Sequence, residues 1–215
     1  MLVRDIMTSN VITIPSDTLM FEAEKIMEFH KIERLPVVDK GKLVGLVTKD
    51  TLLKASPSKA TSFSRGEIYY LLSKLIVKEI MITDVVTVSP DTTVEQAATK
   101  AQQNKVGCLP VLEDNKVVGI VTTNDFFYKI LNPLLGIGEG GKRIIVQGVG
   151  DPEGMQKVLE TVRKGDIEIK NFCSLSSSGA GKNDFVLHLN TNDVATVLKQ
   201  LKEMGFKAEE RQHTI

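Results

Sequence analysis

The residues able to do covalent chemistry are few. The chain holds three histidines, His30, His188 and His213, and two cysteines, Cys108 and Cys173. No Cys/His pair, metal-spaced donor set or nucleophile motif can be assembled from them, so catalysis is the least favoured function class. Two glycine-rich stretches imitate phosphate loops. Gly136-Ile137-Gly138-Glu139-Gly140-Gly141 matches G-x-G-x-x-G, but that fingerprint needs a strand before the glycines and a helix after; here a helical stretch precedes and a strand follows. Gly179-Ala180-Gly181-Lys182 lacks the first glycine of a phosphate loop, because position 176 is Ser, and reads as a hairpin tip. The remaining chemistry-bearing pair is Thr122 and Asp125, a hydroxyl and a carboxylate three residues apart at a predicted helix start. A threonine there can cap the first turn, and the acid can complement the helix dipole.

Composition narrows the class further. The 215 residues carry 27 Lys+Arg against 27 Asp+Glu, with 42% hydrophobic and 25% charged residues. A balanced charge with no basic cluster argues against nucleic acid as a partner. The longest apolar runs, such as Val117 to Val121, fall far below the roughly 18 to 20 residues of a membrane span. The N-terminus shows no secretory pattern, so a cytoplasmic protein is expected. The two cysteines sit in apolar, strand-like segments and read as small buried hydrophobes.

An internal repeat organises the first two thirds. Val3-Arg4-Asp5-Ile6-Met7 returns as Val77-Lys78-Glu79-Ile80-Met81, an offset of 74 residues. In the same register Leu35-Pro36-Val37-Val38 falls on Leu109-Pro110-Val111-Leu112, and Val44-Gly45-Leu46-Val47-Thr48 on Val118-Gly119-Ile120-Val121-Thr122. Each unit predicts strand, helix, strand, strand, helix. Leu19, Met20, Ala23, Ile26 and Met27 in one copy, and Val94, Ala97, Ala98 and Ala101 in the other, keep the spacing of one helical face. Thr92 and Glu95 have capping-box spacing. A three-stranded sheet covered on one side leaves its other face bare, and two copies packed about a pseudo-twofold axis cover it. The expected boundaries are repeat one at 1–55, a linker with a helix at 56–76, repeat two at 77–135, a glycine-rich hinge at 136–141 and a tail at 142–215. Within the linker, Ser64 and Glu67 form a capping box for a helix from Glu67 to Leu75.

The tail alternates strand and helix in βαββαβ order. Met155, Val158, Leu159 and Val162 mark its first helix, and Val194, Val197, Leu198, Leu201 and Met204 its second. The turn from Gly148 to Gly154 either presents backbone N–H groups to a carboxylate or is a tight connection capped by Asp151.

The Ile-Met pair near each unit start, the Leu-Pro-Val strand, and Gly-[Leu/Ile]-Val-Thr before the last helix together resemble a tandem CBS-domain pair, also called a Bateman module. The stretch Val146-Gln147-Gly148-Val149-Gly150-Asp151-Pro152-Glu153-Gly154-Met155, with Glu153 set between Pro152 and Gly154, looks like the start of an ACT domain. The combination is similar to acetoin-utilisation AcuB-type regulatory proteins. The resemblance implies an α+β fold, two pseudo-twofold related βαββα units followed by a ferredoxin-like βαββαβ domain. It also implies a non-catalytic sensor. AMP, ADP, ATP or S-adenosylmethionine would bind the cleft as a regulatory ligand rather than a cofactor. A second small metabolite, an amino acid, would bind the ACT-like loop at Gly150, Asp151, Gly154 and Met155. A homodimer acting on an unidentified downstream protein completes the expectation.

By matching positions, the resemblance assigns a stronger site to repeat two. There Thr122 holds phosphate and Asp125 the ribose diol; Met81, Val86, Val106, Gly107 and Cys108 touch the base. Arg34 of repeat one either reaches the phosphates or forms a solvated ion pair with Glu33 or another acid. A weaker site would use Met7, Ile12, Ile32, Glu33, Thr48 and Asp50. In it the residue aligned with Asp125 is Thr51, and Asp50 comes one position early, a rotation of about 100° on a helix. A structural dimerisation module with degenerate clefts stays open as the alternative, and an enzyme as the least favoured one.

Overall fold

The computed structural model describes residues 1–55, 70, 72–149, 151–176 and 183–211. The expected capping box at Ser64 and Glu67, most of the helix after it, Gly150 and the hairpin tip at 179–182 lie outside the described residues. Two compact units form, Met1–Phe126 and Phe127–Ile215.

In the first unit each repeat builds an antiparallel hairpin under two helices. Repeat one contributes α1 (Val3–Ile6), α2 (Met20–His30), β1 (Arg34–Asp39), β2 (Lys42–Thr48) and α3 (Lys49–Ala55). Repeat two contributes a 3-10 turn (Val77–Glu79), α4 (Val94–Asn104), β3 (Cys108–Glu113), β4 (Lys116–Thr122) and α5 (Thr123–Phe126). The hairpins turn at Lys40-Gly41 and Asp114-Asn115, all four with positive φ, as two-residue loops matched to strand twist require. Both carry a register shift at the same place, between Val37 and Val38 and between Val111 and Leu112.

The expected third strand shrinks to one parallel bridge per repeat, Ile14 with Val37 and Val88 with Val111. The reason lies in the residue that follows. Pro15 has no N–H with which to continue a ladder, and Ser89 gives its N–H to the Thr92 hydroxyl at 3.1 Å. That engagement also moves the expected helix cap by one residue: Thr93, not Thr92, is the N-cap of α4 and accepts from Gln96 N at 3.2 Å.

The two repeats exchange their first segments. Val3 N donates to Thr92 O at 2.9 Å and Arg4 N to Pro90 O at 3.0 Å; 74 residues on, Val77 N donates to Thr18 O at 2.8 Å and Lys78 N to Ser16 O at 2.9 Å. Bridges repeat the symmetry, Leu2 with Thr93 and Leu19 with Ile76, Thr8 with Ile120 and Leu46 with Ile82. Val77 is wholly buried in the core of repeat one with Ile14, Met20, Leu35 and Val47, and Ile80 and Met81 pack on that core. Each repeat therefore closes its core with the first segment of the other.

The second unit begins with a π-type turn (Phe127–Leu131) and a short α6 (Asn132–Leu135), then β5 (Lys142–Gln147), α7 (Pro152–Lys164), β6 (Ile169–Ser176), β7 (Asn183–Leu189), α8 (Ala195–Glu203) and β8 (Lys207–Arg211). The helical stretch expected before the glycines is thus divided among α5, the π-type turn and α6. The antiparallel sheet runs β6-β7-β5-β8, so the first and third strands of the βαββαβ order lie at its centre. Ile144, Val146, Phe185, Leu187 and Leu189 face Val158, Val162, Val197 and Leu201 in its core.

The glycine-rich stretch expected as a hinge is fastened to this unit. His188, 1% exposed, lies against Gly136, and its Nε2 is 3.2 Å from Gly140 O. Lys170 Nζ donates to the same carbonyl at 2.8 Å, and Asn171 Nδ2 donates to Pro133 O at 3.0 Å. Because α6 and the glycines pack on this sheet, the unit boundary falls at Phe127 and not at Gly136.

Two glycines set close approaches between the repeats. A Cβ on Gly119 would overlap Met7 Sδ, and one on Gly45 would overlap Met81 Sδ. Gly119→Ala is expected to lower unfolding stability by about 1 to 3 kcal/mol through overpacking. Adding Met7→Ala should return part of that loss, a coupling that a double-mutant cycle in urea measures. Additive losses would show that the two residues do not share the contact.

Candidate functional site

The start of α5 gathers the residues of the stronger expected site. Strand β4 ends at Thr122 and the chain turns directly into helix, leaving the first-turn amides without intrahelical partners. Asp125 Oδ2 accepts from Thr122 N at 2.8 Å and from Thr122 Oγ1 at 2.7 Å, while Asp125 N points at Thr122 Oγ1 at 3.4 Å. Asp125 is 9% exposed. The two side chains thus bond reciprocally across the first turn, and the pairing holds the acid in place at the helix start.

One turn away in space lies the beginning of β3. Thr123 donates to Gly107 O from its amide and its hydroxyl, both at 3.2 Å. Arg34 arrives here from the other repeat. A Cβ on Gly107 would stand 3.0 Å from Arg34 Nη2 and 3.7 Å from Thr123 Oγ1, so glycine leaves the space that the guanidinium occupies. The expected ion pair with Glu33 is long, 3.9 Å, and Arg34 keeps only 27% of its side-chain surface exposed. Burial pushes the Cys108 thiol up, and the charge and hydrogen bond of Arg34 beside it pull partly the other way. Arg34 and the Thr123 hydroxyl thus lie together beside Gly107, and the Thr122–Asp125 pair stands at the same helix start.

Arg34 and Cys108 are repeat equivalents, so their contact lies where the pseudo-twofold brings equal positions together. The sequence signalled the asymmetry but not the distance. Met81 and Met7 each contact the repeat opposite to the one the alignment suggests: Met81 packs on the repeat-one core and on Gly45, Met7 on Gly119. Val86 is half-buried, and Val106 N donates to Ala101 O at 3.0 Å as it closes α4.

Repeat one reproduces the geometry without the charge. Thr51 Oγ1 accepts from Thr48 N at 2.9 Å and donates to Thr48 O at 2.7 Å, filling the position that Asp125 fills in repeat two. Asp50 turns outward, as its one-residue displacement predicts, and pairs with Lys54 at 2.7 Å on the exposed side of α3. Ile12 and Ile32 pack on the repeat-one core. Ile32 and Glu33 also line a hollow of about 270 Å³ between α2 and α3, with Met27, Leu52, Lys31 and Lys49. Thr48, Asp50 and Met7 do not border that hollow, so the weaker-site residues are not gathered in it.

In the second unit the expected loop is organised around its helix. Asp151 Oδ1 accepts from Gly154 N at 2.7 Å as N-cap of α7, with Pro152 in the first turn; Gly154 is buried and Met155 packs on the core. The capped-connection reading holds for the described residues. No group of His, Cys, Asp and Glu among the described residues could hold a metal ion, and no described helix is long and apolar enough to cross a membrane.

Comparison with known proteins bears on the first unit. The CBS domain model matches residues 3–58 and 77–132. The chain is 36% identical over 126 residues to the L-aspartate semialdehyde sulfurtransferase of Methanocaldococcus jannaschii, covering 58% of this chain and 22% of that protein. An inosine-5'-monophosphate dehydrogenase of Korarchaeum cryptofilum is matched at 33% identity over 62% of this chain and 25% of that protein, so the chain spans about a quarter of these relatives' length or less. The CBS domain-containing protein YhcV of Bacillus subtilis is 31% identical, with 57% of this chain and 81% of that protein aligned. Among solved structures, a putative acetoin utilization protein (AcuB) from Vibrio cholerae superposes with a TM-score of 0.52 at 32% identity, covering 61% of this chain and 91% of that one. CBSX2 in complex with AMP gives 0.51 at 28% identity, covering 61% and 96%. With both repeats matched, the chain belongs to the CBS-domain family.

Proposed function

We propose that the protein is a non-catalytic ligand sensor that binds one adenosine compound, of the class AMP, ADP, ATP or S-adenosylmethionine, at the repeat-two site. The observation that carries this reading is the meeting of Arg34, Gly107, Thr122, Thr123 and Asp125 at one helix start, supported by the likeness to CBSX2, whose structure contains AMP. The chemistry divides among the residues. The Asp125 carboxylate accepts from a vicinal diol, as a ribose presents, while remaining anchored to Thr122. The Thr122 and Thr123 hydroxyls exchange their donations to Asp125 and Gly107 O for a phosphate, with Asp125 still anchored through Thr122 N, and the Arg34 guanidinium supplies opposing charge. That cation favours members of the class that carry phosphate over the cationic sulfonium. Repeat one, with Thr51 in place of the acid, binds much more weakly.

The same reading takes the second unit as ACT-like. Its βαββαβ order and the Asp151 loop support this, and an amino acid is the ligand class to test there. A cytoplasmic homodimer that passes the bound state to another protein is part of the proposal.

A thermal-shift panel with AMP, ADP, ATP, S-adenosylmethionine and common amino acids tests the reading. A ligand at about 100 times its dissociation constant stabilises by about 2.7 kcal/mol, enough to move a melt. Asp125→Asn keeps the size of the side chain and removes its charge, and should cost about tenfold or more in affinity. Silence with every adenosine compound would overturn the proposal, and a shift that survives Asp125→Asn would move the site.

Arg34→Gln separates the phosphate contribution. It is expected to weaken AMP or ATP by about ten- to a hundredfold, in line with about 1.5 to 3 kcal/mol for a charged hydrogen bond, and to leave adenosine itself nearly unchanged. Thr51→Asp restores a carboxylate to repeat one, and calorimetry should then read a stoichiometry rising from one toward two.

A further inference from the structure

We infer that Arg143 and Arg211 form a binding site for a small oxyanion of the phosphate-monoester class, on the face of the second unit's sheet turned away from α7 and α8. The inference lies beyond the adenosine reading and does not depend on it. Ile144 and Val146 of β5 lie in the core beneath the two helices, so Arg143, the residue before Ile144, points to the opposite face. Register then sets a nitrogen base on either side of it, Arg211 of β8 and His188 of β7. Side chains directly opposite share a face with Cβ atoms about 4.5 to 5.5 Å apart, and like charges in such a pair destabilise a sheet. Folding alone therefore disfavours arginine against arginine at this position.

The neighbouring acids are engaged elsewhere. Lys142, on the helix side of the same strand, is paired with Glu210 at 2.6 Å, and Glu139 lies 3.8 Å from Lys170. Glu209 stands 3.5 Å from Arg211 Nε, a long contact between two side chains that are each 55% exposed. Arg143 forms no ion pair among the described residues, and its Nη2 is buried without a hydrogen-bond partner. It is the one such side-chain atom among the described residues. A buried donor left open in a folded protein calls for an explanation, and a missing anion supplies one here.

The row of bases is closed at one end and open at the other. His188 is covered by the glycine-rich stretch, with Gly136 against its ring and Gly140 O at 3.2 Å from Nε2. Arg211 is exposed. An anion thus approaches from the β8 side and meets two planar forks of donors, the geometry that suits phosphate and carboxylate oxygens. A phosphate monoester brings a charge of about −1.5 to −2 and three acceptor oxygens, enough for both guanidinium groups at once. A monocarboxylate brings half of that. Binding turns the Arg143 fork from its unpartnered position toward the anion. The site is separate from the Asp151 loop, which begins beyond Gln147, about 13 Å along the strand from Arg143.

The experiment titrates inorganic phosphate, and acetate in parallel, into the full chain carrying Arg34→Gln, at constant ionic strength set with chloride. That background removes the guanidinium of the adenosine site, so the outcome does not rest on it. The readout is the backbone amide resonances of Arg143 and Arg211. Phosphate should shift both saturably, with an affinity about tenfold or more above that of acetate. Arg143→Gln should weaken phosphate by about tenfold or more. Lys142→Gln removes a charge from the same strand on the other face and should leave the affinity within about twofold. No saturable shift with phosphate, an affinity that survives Arg143→Gln, or an equal loss with Lys142→Gln would overturn the inference, and acetate binding as tightly as phosphate would refute the ligand class. Should Arg143→Gln fail to fold, Arg211→Gln at the exposed edge decides, with a loss of about fivefold or more expected and an unchanged affinity refuting the site.

Discussion

The exchange of N-terminal segments between the repeats is the constraint on which the first unit depends. Neither hairpin can close its own core, because the valine that completes repeat one is Val77 and the one that completes repeat two is Val3, both wholly buried. A sheet of two strands with a single extra bridge buries little by itself, and small domains with little buried area are marginal. By taking its closing residue from its neighbour, each repeat makes its stability conditional on the other. The backbone bonds at Thr18, Ser16, Thr92 and Pro90 lock that dependence in place.

The same symmetry creates the site. Equal positions meet near a pseudo-twofold axis, so one substitution at such a position acts on both halves. Arg34 and Cys108 are equivalents that differ, and their contact turns a symmetric junction into one with a cation on a single side. Gly107 leaves the space that the guanidinium fills. Had both positions been arginine, two cations would have faced each other across a few ångströms, with strong mutual repulsion in a partly desolvated place.

Most of the fold was readable in the sequence because repetition doubles every signal. The offset of 74 residues placed both hairpins and both long helices, and the spacing of apolar residues in the tail placed its βαββαβ order. What the sequence concealed were relations between copies. A strand stopped by Pro15 or by the Thr92 hydroxyl differs from a continuing one only in where a single N–H goes. The contacts of Met7 and Met81 belong to the exchanged partner, which alignment of a repeat onto itself cannot reveal. Nothing in the neighbourhood of His188 in sequence indicates that it holds down a glycine-rich stretch about fifty residues earlier.

Thr51 and Asp125 show why function in such a pair can be lost without a trace in the fold. Both side chains accept from the backbone amide of the threonine three residues before, at 2.9 and 2.8 Å, and both close the first turn of the helix. Capping contributes about 1 kcal/mol whichever oxygen supplies it, so folding places little demand on the choice between hydroxyl and carboxylate. Charge at that position matters only to something that brings hydroxyls or a cation to it. The fold therefore tolerates an acid in both repeats, in one or in neither. Its presence in repeat two alone, in the repeat that Arg34 reaches, follows from no requirement of packing, which is the asymmetry that the proposed ligand, contacted by both residues, accounts for.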